Sequence, residues 1–235
     1  MISPPSILTI ETSSACNLRC VMCPQSIDGV DRPKKMPVEL MDKILPYIKD
    51  ADSVALHGIG EPLLSKSFWT LLKELPVDAY STVNTNLTVL TDEMLSNLLS
   101  SNLKMINVSI DSPDNAQYQW IRGFDLDVVL ANVRRLVGHG IQVYANMTLM
   151  MCNVDKIIDF MDLMIGDIGC DAVCVWPVNR WTEENMAQYN REIRGWVFNY
   201  ENQGLWNCDA EAKIAKAQKY ADKKGWTLLF NPESL

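Results

Sequence analysis

The sequence predicts an α/β fold in which parallel strands alternate with helices in one domain. The chain has 235 residues and 48% of them are hydrophobic, which is enough for one sizeable core. Apolar stretches of strand length alternate with amphipathic helical stretches from Ser6 to Trp176. Repeated βα units place their strands parallel and join them by right-handed crossovers. A large α/β barrel is therefore the expected architecture.

The alternating region contains six predicted strands separated by five predicted helices. The strands are short runs rich in apolar and β-branched residues, and they cover Ser6–Thr12, Ser53–His57, Val77–Asn84, Lys104–Ile110, Gln142–Leu149 and Ala172–Trp176. The helices follow capping and stop signals, and they cover Val38–Lys49, Lys66–Leu75, Asp92–Leu99 behind a Thr91 N-cap, Leu126–Val137 before Gly138 and Gly140, and the stretch from an Asn153 cap to Ile165.

The pattern changes beyond Pro177. Two mostly polar helices are predicted at Glu183–Tyr200 and Asp209–Lys224, followed by a short strand at Thr227–Phe230. No linker or low-complexity stretch separates this region from the rest. We therefore assign residues 1–180 to the barrel and residues 181–235 to a helical annex packed on the same domain.

Composition excludes several classes of protein. A formal net charge of −8 argues against a broad nucleic-acid surface, which would need clustered Lys and Arg. The N-terminus has no signal-peptide pattern, and no apolar run reaches the 18 or more residues of a membrane span, so we expect a cytoplasmic protein without a membrane partner. Seven cysteines in such a chain indicate reduced thiols and a metal site rather than a disulfide framework.

Three of these cysteines lie close together in Cys16–Pro24, which reads C-N-L-R-C-V-M-C-P. Three thiols at this spacing predict one metal centre, and thiolates select zinc, copper(I) or iron-sulfur clusters. A cubic cluster on three thiolates leaves one iron open, and an open coordination position is typical of a catalytic metal. The alternative is a structural zinc site with His57 as the fourth ligand.

The spacing of Cys16, Cys20 and Cys23 resembles the C-x3-C-x2-C signature of radical S-adenosylmethionine (radical SAM) enzymes. The resemblance implies a 4Fe-4S cluster whose open iron chelates the methionine end of S-adenosylmethionine. An electron from a donor such as flavodoxin or ferredoxin then yields a 5′-deoxyadenosyl radical that abstracts a substrate hydrogen. Met22 stands where the family usually places a large apolar residue against the adenine. The implied fold is a partial (β/α)6 TIM-like barrel of parallel strands with a C-terminal helical annex.

Further motifs after the predicted strands strengthen this resemblance. Residues 58–62 resemble the family's G-x-G-E-P element, and Thr85-Asn86 resembles its T-N-G turn, although Leu87 stands where glycine is usual. Ser109 and Asp111 resemble the fourth-strand element that contacts the ribose and carboxylate, and Arg122 is the candidate partner of the methionine carboxylate. The alternatives are an Asp-Ser-Pro turn and a surface arginine. The candidate cofactor-binding residues are Met22, Gly58, Gly60, Glu61, Pro62, Asn84, Asn86, Ser109, Asp111 and Arg122.

Strand parity predicts a polar lining for a ligand. Alternate residues of the fifth strand are polar, and the same parity selects polar residues in the first, third and fourth strands. A barrel lined only for stability would present branched apolar residues instead. The candidate substrate residues are Glu11, His57, Tyr144, Asn146, Thr148 and Trp176. Cys174 is a candidate hydrogen-atom donor, as thiols are in the radical epimerases that this chain resembles.

The remaining cysteines are Cys152, Cys170 and Cys208. We interpret them, like Cys174, as small buried residues, with a second cluster as the alternative.

We interpret the whole chain as a radical SAM enzyme with one 4Fe-4S cluster that acts on a small polar metabolite or a peptide side chain. Its C-terminal sequence resembles the point where many radical SAM proteins continue into a Cys-rich SPASM or twitch domain. One alternative is therefore a dehydrogenase or peptide-modifying enzyme of that type without its auxiliary-cluster domain. The non-enzyme alternative, a zinc-binding or electron-transfer iron-sulfur module, has no use for the G-x-G-E-P loop.

Overall fold

The computed structural model describes residues 5–26, 34–178, 191–193, 196–198, 203 and 209–230. These residues divide into two compact units. The first falls within Met1–Asn17, Asp31–Val108 and Ala131–Val143, and the second within Leu18–Val30, Ser109–Leu130 and Tyr144–Leu235. Cys208 and most of the predicted helix Glu183–Tyr200 lie outside the described residues.

Parallel strands form the main sheet, as the alternating sequence pattern predicts. The described strands are β1 (Ile7–Thr9), β2 (Ser53–Ala55), β3 (Tyr80–Thr85), β4 (Met105–Ser109), β5 (Gln142–Leu149), β6 (Ala172–Pro177), β7 (Arg191–Ile193), β8 (Trp196–Phe198) and β9 (Leu228–Phe230). Seven of them form one sheet in the order β1-β2-β3-β4-β5-β6-β9. The neighbours β1–β2, β2–β3, β3–β4, β5–β6 and β6–β9 pair in parallel. The short strand predicted at Thr227–Phe230 is confirmed as β9, which lies beside β6 in this sheet.

Helices follow most of these strands. They are α1 (Met41–Lys49), α2 (Lys66–Lys73), α3 (Asp92–Leu99), α4 (Asn115–Arg122), α5 (Leu126–Arg134), α6 (Ile157–Met161) and α7 (Ala210–Lys224). The predicted Thr91 cap of α3 is confirmed, because its side chain accepts a hydrogen bond from the Met94 N–H at 3.2 Å. None of the helices in the described part of the chain is long and apolar enough to cross a bilayer.

Helix α4 is absent from the sequence prediction. The Asp114 side chain accepts from the Gln117 N–H at 2.8 Å, and Gly123 closes the helix with a φ of 77°. Both are standard cap signals, but only eight residues separate them, and so short a helix shows little periodicity. The consequence is that Arg122 lies in the last turn of a helix rather than in a loop.

The helix predicted at Glu183–Tyr200 is wrong where the structure describes it. β7 and β8 pair antiparallel, with Ile193 opposite Trp196. Aromatic and β-branched residues at 196–198, next to Gly195, favour a hairpin over a helix. The polar periodicity of residues 183–200 predicts a helix, but the local β propensity of residues 196–198 is stronger.

The two faces of the strands differ as parity predicts. On β5, Val143, Ala145, Met147 and Leu149 are fully buried, whereas the polar residues between them are partly exposed. β3 shows the same alternation, because Ser81, Val83 and Thr85 are buried and Thr82 and Asn84 between them are not. The apolar face therefore forms the core, and the polar face is left for contacts of another kind.

The loop after β3 passes through Leu87 in the left-handed backbone region. The φ of Leu87 is 50°, a conformation that costs an ordinary residue roughly 1–2 kcal/mol and costs glycine almost nothing. Leu87 is fully buried, its N–H donates to Thr85 Oγ1 at 3.0 Å, and its carbonyl accepts from Asn132 Nδ2 at 3.0 Å. Packing and these two hydrogen bonds hold the path that a glycine would follow without strain.

This conformation predicts an inverted order of stability at position 87. Replacing Leu87 by Gly or by Ala removes most or all of the same buried side chain, which lowers the free energy of unfolding by about 2–5 kcal/mol. The Gly variant also loses the left-handed strain, so we expect it to be more stable than the Ala variant by about 1 kcal/mol. Denaturant unfolding of both variants measures the difference.

Leu56, fully buried but without a positive φ, is the matched control. There the Gly variant should be less stable than the Ala variant by about 0.5–1 kcal/mol. The same order at both positions would contradict the strain at Leu87.

Candidate active site

In the first unit, the carboxylate of Glu61 organises two loops. Glu61 is 3% exposed. Its Oε1 accepts from the Leu63 N–H at 3.1 Å and from the Thr85 hydroxyl at 2.6 Å, and its Oε2 accepts from the Asn86 N–H at 2.7 Å. Burying a carboxylate is costly unless donors of this kind satisfy it. Glu61 therefore joins the G-x-G-E-P loop after β2 to the loop after β3.

The two glycines of residues 58–62 allow close approach of other chain segments. A methyl group on Gly60 would lie 2.7 Å from the Ala15 carbonyl oxygen and 2.6 Å from the Ser14 carbonyl carbon. The Ala15 carbonyl already accepts from the Glu61 N–H at 2.9 Å. Gly60 thus packs against the backbone that leads directly into Cys16.

Gly58 faces a side chain instead. A methyl group there would lie 2.6 Å from Cδ of Glu11, whose Oε1 accepts from the Ile59 N–H at 2.6 Å. Glu11 was predicted to contact substrate. The structure places its carboxylate against the G-x-G-E-P loop, where it holds the loop backbone.

Asn86 links this loop to the first cysteine of the motif. Its Nδ2 donates to Asn17 Oδ1 at 3.0 Å and lies 3.7 Å from the Cys16 sulfur, a sulfur hydrogen bond. Its Oδ1 accepts from the Thr88 N–H at 3.0 Å, and the Thr88 hydroxyl also accepts from Asn17 Nδ2 at 2.8 Å. The predicted cofactor residue Asn86 is therefore fixed in orientation with an N–H directed at a candidate ligand.

In the second unit, Asp111 and Arg122 form a buried ion pair. Arg122 Nε donates to Asp111 Oδ2 at 2.7 Å, and Arg122 Nη1 donates to the Cys20 sulfur at 3.8 Å. Asp111 is 0% exposed and Arg122 is 7% exposed. Burial opposes the charged guanidinium, but the charges of Asp111 and Cys20 outweigh it and raise the pKa of Arg122 above its ordinary value.

The rest of Asp111 is held by the end of β5. Its Oδ1 accepts from the Thr148 N–H at 2.6 Å, and its backbone carbonyl accepts from Asn153 Nδ2 at 2.9 Å. Asn153 also donates to the Thr148 carbonyl at 2.9 Å and accepts from the Met150 N–H at 2.8 Å. Asn153 stands at the N-cap of the helical turn Val154–Lys156, as predicted, but its side chain spans the turn before it and makes no cap bond. These contacts stabilise Asp111 at a φ of 70°.

The motif residues that follow Cys20 pack on helix α4 of the same unit. The Cys23 N–H donates to the Cys20 carbonyl at 3.1 Å, and the Val21 N–H donates to the Ile121 carbonyl at 2.8 Å. Val21, Ile121, Met150 and Val178 form a small apolar cluster, against which Met22 packs. The predicted adenine contact, Met22, thus has one side anchored in the protein.

The candidate substrate residues Tyr144, Asn146, Thr148 and Trp176 lie on β5 and β6. Asn146 is the strand partner of Cys174, and Thr148 is the partner of Trp176. Trp176 is 42% exposed, and Asn146 Oδ1 is a buried atom without a hydrogen-bond partner among the described residues. In the first unit, His57 Nδ1 and Asn107 Oδ1 also lack partners in the described part of the chain, and burial lowers the pKa of His57.

Three other candidate cofactor-binding residues, Asn84, Ser109 and Pro62, lie on strands or in a turn. Asn84 lies opposite Asn107 between β3 and β4, Ser109 ends β4, and Pro62 begins a short helical turn. Sequence reasoning missed Tyr118, which is fully buried in α4. Its hydroxyl has no hydrogen-bond partner within the described residues, and burial raises its pKa. Its position four residues before Arg122 was the available signal, once α4 is recognised.

The described cysteines outside the motif are Cys152, which is partly buried, and two that are more enclosed. Cys170 and Cys174 are both buried. Burial raises the pKa of Cys152 and of Cys170 to about 12, and that of Cys174 to about 11. Such thiols keep their protons at neutral pH, which fits small buried residues and is also what a hydrogen-atom donor requires.

The surroundings of the motif cysteines suit an iron-sulfur cluster. Cys16 and Cys20 each receive an N–H from a buried side chain, and hydrogen bonds to the sulfurs are a normal part of cluster sites. Among the described residues, no group of three or more His, Cys, Asp or Glu side chains is arranged to hold a metal ion. The set of three thiolate ligands therefore stays a prediction.

Comparison with known proteins identifies what the fold and motifs resemble. The family model described as the radical SAM superfamily matches residues 10–164. A GTP 3′,8-cyclase from Clostridium botulinum is 27% identical over 168 residues, which cover 66% of this chain and 51% of that protein. A cofactor-modifying protein for tungsten-containing aldehyde ferredoxin oxidoreductase from Pyrococcus furiosus is 32% identical over 135 residues, covering 55% and 38%. The chain spans about half the length of the curated relatives it matches.

Solved structures confirm the predicted fold class. Streptococcus suis SuiB bound to S-adenosylmethionine superposes with a TM-score of 0.74 at 20% identity, over 97% of this chain and 50% of that one. SuiB bound to its precursor peptide SuiA gives 0.73. The chain therefore has the partial TIM-like α/β barrel fold, with parallel strands and helices alternating as the sequence predicts.

The glycine contacts predict two different responses to a methyl group. Gly60→Ala should lower the free energy of unfolding by about 1–3 kcal/mol, because backbone at 14–15 must move. Gly58→Ala should be rescued by a second change, Glu11→Ala, which removes the side chain in the way. Denaturant unfolding of the single and double variants tests both statements.

Combining Gly60→Ala with Glu11→Ala is the control, and it should recover nothing. Equal rescue of both glycine variants would show that Glu11, rather than the backbone before Cys16, limits the space at Gly60.

Proposed function

The chain belongs to the radical SAM superfamily, and we propose that it abstracts a hydrogen atom from a small polar metabolite or a peptide side chain. It is an enzyme whose cofactors are a 4Fe-4S cluster and S-adenosylmethionine. The observation that carries the proposal is the pairing of motif cysteines with fixed N–H donors, Asn86 for Cys16 and Arg122 for Cys20. An electron carrier such as flavodoxin or ferredoxin is the proposed partner.

In this proposal Cys16, Cys20 and Cys23 hold the cluster. When bound, it supplies the electron that cleaves S-adenosylmethionine to the radical. The chain's own contribution is preorganisation, because Asn86 and Arg122 keep their donors in place through partners of their own. Donors that need no reorientation cost nothing at the moment of reaction.

The proposed cofactor-binding elements are the loops that Glu61 and Asp111 organise. Gly58, Gly60 and Glu61 would hold the ammonium group, as the family resemblance implies, while Ser109 and Arg122 supply polar contacts. Since the Asp111 carboxylate already bonds Arg122 and Thr148, its contribution is to orient Arg122 rather than to touch the cofactor.

The proposed substrate wall comprises Tyr144, Asn146, Thr148, Cys174 and Trp176. None of these five side chains is charged at neutral pH, because burial raises the pKa of the Cys174 thiol to about 11. A triphosphate would require cations, whereas an amide or hydroxyl group matches Asn146 Oδ1, an acceptor that has no partner in the part of the chain the structure describes. The wall therefore favours an uncharged polar group, as in a peptide, over a nucleoside triphosphate.

The cluster predicts a clear metal content. Protein reconstituted anaerobically with iron and sulfide should bind about four irons and show thiolate-to-iron charge-transfer absorption. Cys20→Ala should lose both while retaining the circular dichroism of a folded protein.

Cys174→Ala, a buried cysteine outside the motif, is the control and should retain the cluster. Stoichiometric zinc in the isolated protein, with no iron taken up on reconstitution, would refute the proposal.

The substrate wall predicts a selective defect in Asn146→Ala. The rate of reductive S-adenosylmethionine cleavage without substrate should not change, because Asn146 is assigned to the substrate and not the cofactor. Acceleration by an accepted substrate should fall about 5- to 150-fold, the effect of losing about 1–3 kcal/mol from one hydrogen bond. Formation of 5′-deoxyadenosine, measured with and without substrate, separates the two rates.

Gln142→Ala is the matched control, since Gln142 has the same strand parity but lies exposed at the start of β5. It should leave both rates unchanged. Loss of the substrate-free rate in Asn146→Ala would assign Asn146 to the cofactor instead.

A further inference from the structure

Arg122 has a geometry that its proposed role toward S-adenosylmethionine does not explain. One of its guanidinium nitrogens bonds Asp111 and another donates to the sulfur of Cys20. Both charged side chains are buried, and all three residues belong to the second unit. A cation held against a ligand sulfur acts on the electron density of that sulfur, whether or not S-adenosylmethionine is bound.

We propose that Arg122 is a positioning residue for Cys20 and that its N–H donation raises the reduction potential of the cluster. Reduction adds a negative charge to the cluster and its thiolates. A cation and an N–H donor beside one of these sulfurs stabilise the more negative state, and hydrogen bonds to sulfur are a recognised determinant of cluster potential. The inference rests on the proposed function, because it takes Cys20 as a cluster ligand.

The anchoring of Arg122 supports this assignment. A flexible arginine would average over many positions, but Asp111 holds Nε at 2.7 Å while Thr148 and Asn153 hold Asp111 in turn. Burial also strengthens the interaction, because charges in a low-dielectric interior are screened far less than charges in water.

Asn86 provides an internal comparison. It donates to the Cys16 sulfur at 3.7 Å, nearly the same distance as the Arg122 contact, but it is a neutral amide. Both cysteine sulfurs therefore accept an N–H hydrogen bond, but the donor to Cys20 is charged and the donor to Cys16 is neutral. Charge-assisted hydrogen bonds are roughly twice as strong as neutral ones, so Arg122 should have the larger effect on the potential.

The test is a redox titration of the reconstituted full chain, monitored by electron paramagnetic resonance of the reduced cluster, in the absence of S-adenosylmethionine. In Arg122→Gln, the ratio of reduced to oxidised cluster at a given solution potential should fall about tenfold. For a one-electron couple this is a shift of about 59 mV to a lower potential. Arg122→Lys, which keeps the charge but not the forked geometry, should recover part of the shift.

Arg122→Gln leaves Asp111 as a buried charge without its cation, which destabilises the fold. The double variant Arg122→Gln/Asp111→Asn removes both charges, and it should also show the lower potential. Arg19→Gln is the matched control, because Arg19 is the exposed neighbour of Cys20 in sequence, where water screens its charge. It should shift the potential much less.

An unchanged potential in Arg122→Gln and in Arg122→Gln/Asp111→Asn at full iron content, or equal shifts in Arg122→Gln and Arg19→Gln, would overturn the inference while leaving the proposed function intact. Folded Arg122 variants that take up no cluster would assign Arg122 to cluster retention and would also overturn it. Failure of the unchanged protein to bind iron would overturn the proposed function, and the inference with it.

Discussion

A carboxylate can be buried only when its oxygens are satisfied by hydrogen bonds or by a cation, and the candidate site depends on this constraint in both units. Glu61 meets it with donors from its own loop and from the loop after β3. Asp111 meets it with Arg122 and with the backbone of Thr148. The need to satisfy each carboxylate draws separate chain segments together, and those segments carry the motif residues.

The same loops contain the two non-glycine residues with a left-handed backbone in the described chain, Leu87 and Asp111. Each lies two residues beyond the end of its strand, β3 or β4. Strain of this kind persists only where the surroundings hold it in place, and it concentrates at functional sites. In this protein, burial and side-chain hydrogen bonds hold the strained backbone in place. Tertiary contacts therefore determine how the loop at Asn86 and the Asp111 partner of Arg122 are oriented.

The candidate cofactor residues and the candidate substrate residues differ in chemistry. The segments around the motif cysteines are rich in charged and polar groups that are already bonded to protein, which suits the fixed, repeated task of holding cofactors. The wall on β5 and β6 instead offers uncharged groups, including a half-exposed indole and Asn146 Oδ1, which has no hydrogen-bond partner among the described residues. In the proposed function these groups contact the substrate.

The α/β class, the alternation of polar and apolar faces and the residue types of the candidate site could be predicted from the sequence. Those properties depend on local periodicity and on short motifs such as that of Cys16, Cys20 and Cys23. The sequence did not reveal α4, the β7–β8 hairpin or the role of Asn153. In each case the local conformational preference is weak, and contacts with particular partners in the fold determine the structure. Tertiary structure alone decided that Arg122 bonds Asp111 and Cys20. Arg122 is separated in sequence from Asp111 by 11 positions and from Cys20 by 102. These residues come into contact only in the folded chain, because burial and hydrogen bonding there determine which of many possible partners pair.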